Sequence, residues 1–305
     1  MKYCDLHCDA LTASGKEQVT KARLEAGDCL LQCFAAFVEE GGFSRFSSLA
    51  DKFDDLVKNE GYHRVLYASD VKDDAVNALL SCEGGAWESI EELRGLYARG
   101  VRMAGFVWNT PTAAGYPNFP DYQGLCAGRT SPSVREEKRG LTPFGHESAE
   151  LMAQLGIIPD VSHGSDALFW EIAQKKRPFV ASHSNVASVQ NWARNLTNAQ
   201  IAAVADCGGV VGLNFCADFL SDDGSAAGQR TAILAHVRAI LNAGGEDVLA
   251  VGSDFDGIPE NAYLPDPSCM PSFFETLADE FGVRIAEKAA RDNFLRVLRD
   301  VVGDK

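Results

Sequence analysis

Lys2-Tyr-Cys-Asp-Leu-His-Cys-Asp9 is the stretch from which the fold is read. A short apolar, β-type run ends in a His-x-Asp pair, and residues two apart on a strand point to the same face. His7 and Asp9 are therefore two metal-ligand side chains delivered together at the end of a strand. Four further residues of ligand type, Glu83, His163, His183 and Asp254, each follow another apolar, strand-like run.

Eight such runs can be found: Lys2 to His7, Cys29 to Val38, Ala75 to Cys82, Val101 to Val107, Ile157 to Val161, Pro178 to Ser182, Gly209 to Phe215 and Val248 to Gly252. Most are followed by a helical pattern. Strand alternating with helix implies parallel βαβ units. Eight units predict a closed, distorted (β/α)8 TIM-type barrel, and 305 residues suit it. With no linker composition in view, residues 1–305 are read as one catalytic domain. Thr142-Pro143 predicts a helix start and Gly156 its end. Leu196-Thr197-Asn198 opens another helix, and one covering Ile233 to Leu241 closes at Gly244-Gly245. From Asn109 to Gly140 no strand or helix is predicted, and four prolines occur. A loop this long after the fourth strand of a barrel stands on the active-site face and is read as a lid or substrate wall.

The composition, 46% hydrophobic and 23% charged, supports a packed core. A formal charge of −15 argues against a nucleic-acid partner and against docking to an anionic membrane. No run approaches the roughly 18–20 apolar residues of a membrane span. The first residues enter a strand without a basic and then apolar leader, so a cytoplasmic location is expected. The nine cysteines are scattered and form no CxxC pair. Cys4 and Cys8, although they flank His7, are read as apolar fillers of a reduced protein.

In a barrel, residues just past the strands converge at the C-terminal mouth. Carboxylates and imidazoles there suit zinc and related divalent ions. His7, Asp9, Glu83, His163 and His183 are too many for one tetrahedral ion with an open position. They suit two ions sharing a carboxylate, which together activate a water and polarise a carbonyl. Glu83, in Ser81-Cys-Glu-Gly-Gly85, is the natural bridge, and the glycines leave room for close approach by ions or backbone. Asp254 can carry a proton from the water to a leaving amine. Asp256 competes for that role and is read as orienting the turn before Gly257. Arg194 is either a two-pronged partner for a substrate carboxylate or a surface arginine. His63, His146 and His236 do not follow barrel strands and are read as non-ligands.

The chain resembles the membrane dipeptidase (renal dipeptidase-type) family, the zinc dipeptidases of the amidohydrolase superfamily. The resemblance rests on Asp5-Leu-His-Cys-Asp9, Cys82-Glu-Gly-Gly85, Gly140-Leu-Thr-Pro-Phe-Gly145, Pro159-Asp-Val-Ser-His163, Ala181-Ser-His-Ser184, Gly252-Ser-Asp-Phe-Asp-Gly257 and Asp292-Asn-Phe-Leu-Arg-Val297. It implies a two-zinc centre, with His7 and Asp9 on one ion, His163 and His183 on the other, and Glu83 between them. It also implies Asp254 as the proton carrier, Arg194 on the substrate carboxylate, and dipeptide substrates with tolerance for a D-residue at the C-terminal side. One departure stands out. Where family members often carry a histidine after strand four, the segment here is Gly105-Phe-Val-Trp-Asn109, with Trp108 nearest that position as a substrate contact. That change leaves open a related hydrolase of another small amide or lactone, such as an N-acyl amino acid, and a catalytically idle metal-binding barrel. A homodimer paired through helices is the expected assembly.

Overall fold

The fold is taken from a computed structural model that describes residues 1–15 and 17–305. Its strands are β1 (Tyr3–Cys8), β2 (Cys29–Phe37), β3 (His63–Arg64), β4 (Asn77–Glu83), β5 (Val101–Gly105), β6 (Ile158–Asp160), β7 (Val180–Ala181), β8 (Val210–Leu213) and β9 (Leu249–Val251). All pairings between them are parallel. β2 pairs with β4 from Leu31↔Asn77 to Phe37↔Glu83, and β1 pairs with β9 through Asp5↔Val251. The ring therefore closes through β1, β2, β4, β5, β6, β7, β8 and β9, the expected (β/α)8 barrel.

Each of the eight predicted runs falls on one barrel strand, within a residue at the ends of β1 and β4. β1 and β4 are buried along their whole length, which is why they read as apolar runs without alternation. The strand not predicted is β3. It pairs only with Asn77 and Ala78 at the foot of β4, outside the ring, so His63 serves strand pairing.

The predicted helix punctuation holds. The Thr142 hydroxyl accepts the Gly145 N–H at 3.0 Å, Pro143 fills the first turn, and Gly156 ends the helix Pro143–Leu155 with φ +76°. Thr197 and Gln200 form a reciprocal cap on the helix Asn198–Asp206. The stretch 109–140 departs from expectation in one respect. It holds a short helix, Tyr122–Cys126, whose N-terminus is capped by Asp121, with Oδ1 accepting the Gly124 N–H at 2.8 Å. The same stretch is tied to the barrel where Asn118 N–H donates to the His163 carbonyl at 2.7 Å.

One apolar cluster takes residues from every barrel strand, among them Leu6, Cys33, Leu79, Met103, Ile158, Val180, Val210 and Ala250. The helix Asn293–Val302 packs Phe294, Val297 and Leu298 into it, and Val301 lies against it. That spacing of three, one and three residues is one helical face. The helix closes the end of the barrel opposite the strand-end residues. A larger cluster fills the space between barrel and outer helices.

Candidate active site and metal centre

The six strand-end residues meet at one mouth of the barrel. His7 Nε2 lies 3.4 Å from Asp9 Oδ2, 3.4 Å from Glu83 Oε2 and 3.9 Å from Asp254 Oδ1. Glu83 Oε1 faces the other way, 3.1 Å from His163 Nε2 and 3.4 Å from His183 Nε2. The two latter nitrogens are 3.1 Å apart. All six side chains are at least nine-tenths buried in residue terms, yet all but His7 line a cleft of about 450 Å³.

Local backbone explains how the strands present these groups. Glu83 is the last residue of β4, and Gly84 follows at φ +91°. A Cβ on Gly84 would stand 2.0 Å from the Val38 carbonyl oxygen, so the glycine admits neighbouring backbone rather than an ion. His163 and Asp254 adopt φ of +65° and +66°. Non-glycine residues pay conformational energy there, and such strain concentrates at functional positions.

The electrostatics follow from burial and crowding. Burial disfavours the charged form of His7, but Glu83 and Asp9 outweigh it and hold its pKa well above the usual histidine range. Burial lifts Glu83 too, but its three imidazole neighbours overcome this and hold it well below the usual range. His163 goes down to about 4, through burial and the Arg194 charge, against the pull of Glu83. His183 is lowered by burial, His7 and Arg194. Burial pushes Asp254 up to about 7, with Asp9 and Glu83 adding to the shift and His7 opposing it.

The cluster fits divalent cations. His7 Nε2, Asp9 Oδ1 and Glu83 Oε1 are buried without a hydrogen-bond partner, an arrangement that costs free energy unless something else satisfies them. Two trios, His7–Glu83–His183 and His7–Asp9–Asp254, each bring ligand atoms within 4.8 Å of one another. His163 belongs to neither trio but touches the first through Glu83 and His183. A Cβ on Gly257 would sit 2.2 Å from Asp9 Oδ2 and 2.6 Å from Asp254 Oδ1, so glycine keeps these oxygens open. Mixed imidazole and carboxylate donors are those of zinc and related metals.

Residues 4–303 match the family model described as membrane dipeptidase, peptidase family M19. The chain belongs to this family. It is thus a metallo-dipeptidase that depends on a metal cofactor and acts on small peptides. A Klebsiella pneumoniae protein, described as uncharacterised and in the pqqA 5′ region, is 35% identical over 237 residues, covering 74% of this chain and 82% of that one. An uncharacterised dipeptidase of Schizosaccharomyces pombe is 33% identical over 135 residues, 44% of this chain and 32% of that protein. Among solved structures, the M19 metallopeptidase "dipeptidase AC" superposes with TM-score 0.87 at 24% identity, over 99% of both chains. A Rhodobacter sphaeroides metallopeptidase, liganded with a phosphinate mimic of the dipeptide L-Ala-D-Ala, superposes with TM-score 0.86 at 23% identity, again over 99% of both. These two likenesses show the fold.

Around the candidate ligands of this M19 dipeptidase stand groups with no part in the sequence-based expectation. Asn109 Oδ1 is 2.8 Å from His163 Nδ1. Ser182 Oγ is 2.7 Å from His183 Nδ1 and donates to Asp160 Oδ2 at 2.5 Å. Both imidazoles are thereby set to carry the proton on Nδ1 and turn an Nε2 lone pair to the centre. Asp5 accepts Ser253 Oγ–H at 2.6 Å and the Ser253 N–H at 2.9 Å, which locks β1 to the residue before Asp254. Asn214 donates to Asp254 Oδ2 at 2.9 Å. The placement of Asp5 and Asp160 inside buried strands was a usable signal; the roles of Asn109 and Asn214 had none.

The structure bears on three further residues. Asp256 does not orient its own turn; its carboxylate accepts the N–H groups of Gln18 and Val19, at 2.5 and 3.0 Å. Arg194 is no surface arginine, being 3% exposed, with N–H groups donated to Ser184 Oγ at 3.2 Å and the His183 carbonyl at 3.1 Å. Trp108 lines the cleft, and its neighbour Asn109 is the polar group that this segment sends to His163. His146 and His236 lie in helices, as expected, and away from the ligands; His236 bonds Val186 N–H and the Leu220 carbonyl.

Proposed function

We propose that this chain is a binuclear zinc dipeptidase that hydrolyses the bond of a dipeptide and accepts a D-residue on the C-terminal side. The observation that carries the binuclear reading is Glu83. Its two oxygens address separate imidazole sets, His7 on one side and His163 with His183 on the other. In this reading His7 and Asp9 would hold one ion, His163 and His183 the other, and Glu83 would serve both. When bound, the ions supply Lewis acidity and an activated water.

The protein groups do the rest. Asn214 fixes Oδ2 of Asp254, which leaves Oδ1 as the atom that takes a proton and returns it to the departing amine. Arg194 keeps a buried Nε–H without a partner, and its charge stands behind His183 to draw in the substrate carboxylate. The stretch 109–140 supplies Asn109 and Tyr122 to the cleft, which supports its reading as an active-site wall. The D-residue tolerance gains support from the L-Ala-D-Ala mimic held by the Rhodobacter sphaeroides neighbour. A cytoplasmic location is supported by nine free cysteines. No helix among the described residues is long and apolar enough to cross a membrane.

The test pairs elemental analysis with a panel of L,D- and L,L-dipeptides and N-acyl amino acids. Two zinc ions per chain and dipeptide turnover are expected, and Glu83→Ala should lose both. Turnover of N-acyl amino acids alone, or full activity in Glu83→Ala, would overturn the proposal.

A further inference from the structure

Three aromatic rings stand on one side of the cleft and are only partly covered by protein: Phe37, Trp108 and Tyr122. Trp108 is their centre, in edge contact with Phe37 at 5.1 Å and with Tyr122 at 5.3 Å, and tilted against the His163 ring at 6.0 Å. Asn109, next to Trp108 in the chain, lines the same cleft and is 2.8 Å from His163 Nδ1. Among the described residues no lysine or arginine lines this cleft, and its floor is carboxylate and imidazole. Such a surface gains most by covering its rings with an apolar side chain, and offers nothing to an anionic one.

The barrel fixes which end of a dipeptide meets these rings. Phe37 ends β2 and Trp108 follows β5, so the wall is centred on β4. In the closed ring β8 is directly across from β4. Arg194 lies between β7 and β8, and its guanidinium is 5.7 Å from the ring of Phe219, which follows β8. A dipeptide with its carboxylate drawn toward Arg194 and its carbonyl over the Glu83 cluster sends its N-terminal side chain to the aromatic side.

We infer that Phe37, Trp108 and Tyr122 form a selectivity wall for a bulky apolar side chain on the N-terminal residue of the dipeptide. This rests on the dipeptidase reading above and names its substrate class. The experiment measures kcat/KM of the zinc-loaded protein on Phe-Ala, Ala-Phe, Asp-Ala and Ala-Ala. Phe-Ala should exceed both Ala-Ala and Ala-Phe by about tenfold or more, with Asp-Ala poorest. Trp108→Ala and Tyr122→Ala should each shrink the Phe-Ala to Ala-Ala ratio about fivefold or more, while Tyr122→Phe retains it. A wild-type ratio near one, a preference for Ala-Phe, or an unchanged ratio in both folded alanine variants would overturn the wall. Should the alanine variants fail to fold, the wild-type ratios still decide. Turnover of none of the four dipeptides is a separate outcome; it removes the dipeptidase reading and this inference with it.

Discussion

Asn109 Oδ1 accepts the Nδ1 proton of His163 across 2.8 Å, and this one contact ties the loop after β5 to a proposed metal ligand carried by the loop after β6. An amide oxygen in that place selects the tautomer whose Nε2 lone pair faces Glu83. Loss of such an outer partner lowers metal affinity about 10–100-fold. Asn109→Ala should show that loss in a chelator competition titration, with its far-UV circular dichroism unchanged. Wild-type affinity in the variant would show that His163 needs no such support.

Metal removal should destabilise the whole barrel, because the proposed ligand atoms come from β1, β4, β6 and β7 or the turns after them. Treatment with a strong chelator leaves His7 Nε2, Asp9 Oδ1 and Glu83 Oε1 buried without partners. A lower melting temperature is expected, restored by zinc. Free zinc at 100 times its Kd should add about 2.7 kcal/mol of unfolding free energy. Identical melting curves with and without chelator would count against a metal shared by these strands.

Gly84→Ala tests the turn beneath the proposed bridging ligand. The added Cβ meets the Val38 carbonyl oxygen at 2.0 Å, and φ is +91°. A loss of about 2–4 kcal/mol is expected in urea unfolding, from strain and clash together. Dipeptide turnover should fall as well, since Glu83 is the adjoining residue. A loss under about 0.5 kcal/mol would show that the backbone yields there at little cost.

His236 should make stability depend on pH in a defined window. Burial holds its imidazole down to about 4, while an unfolded histidine titrates near 6.5. Below about pH 6.5 the unfolded chain takes up a proton that the folded chain refuses. The stability is therefore fully present above that pH and is lost as pH falls toward 4, by roughly 3 kcal/mol at most. The ring is spent on Val186 N–H at Nδ1 and the Leu220 carbonyl at Nε2, which a glutamine amide can also serve. His236→Gln should flatten the curve of unfolding free energy between pH 6.5 and 4 relative to wild type. Parallel curves would show that His236 is protonated equally in both states.

The barrel is legible in the sequence because strands buried on both faces read as plain apolar runs. β3 is not, since His63–Arg64 pairs only through its backbone at the foot of β4. The six clustered side chains are legible by position, each in the last residues of a barrel strand or within three residues after it. What escapes is direction. Whether Asn109 or Trp108 reaches the ligands depends on the course of the loop, and nothing in Val-Trp-Asn reports it. Asp256 illustrates the same limit: its carboxylate reaches Gln18 and Val19, some 238 positions away in the chain. Arg194 is hidden among polar neighbours, and only the packing of Phe219 and His183 around it accounts for its burial.

The Asp254 N–H donates to the His7 carbonyl at 3.1 Å, so the catalytic mouth is stitched together from near the two ends of the polypeptide. During synthesis on the ribosome, His7 and Asp9 emerge early, whereas Asp254, the proposed proton carrier, follows only with the last barrel strand. A nascent chain that has not yet made β9 therefore has no closed barrel and no Asp254. Any fragment that stops short of β9 forfeits the activity outright, however well its remaining helices form.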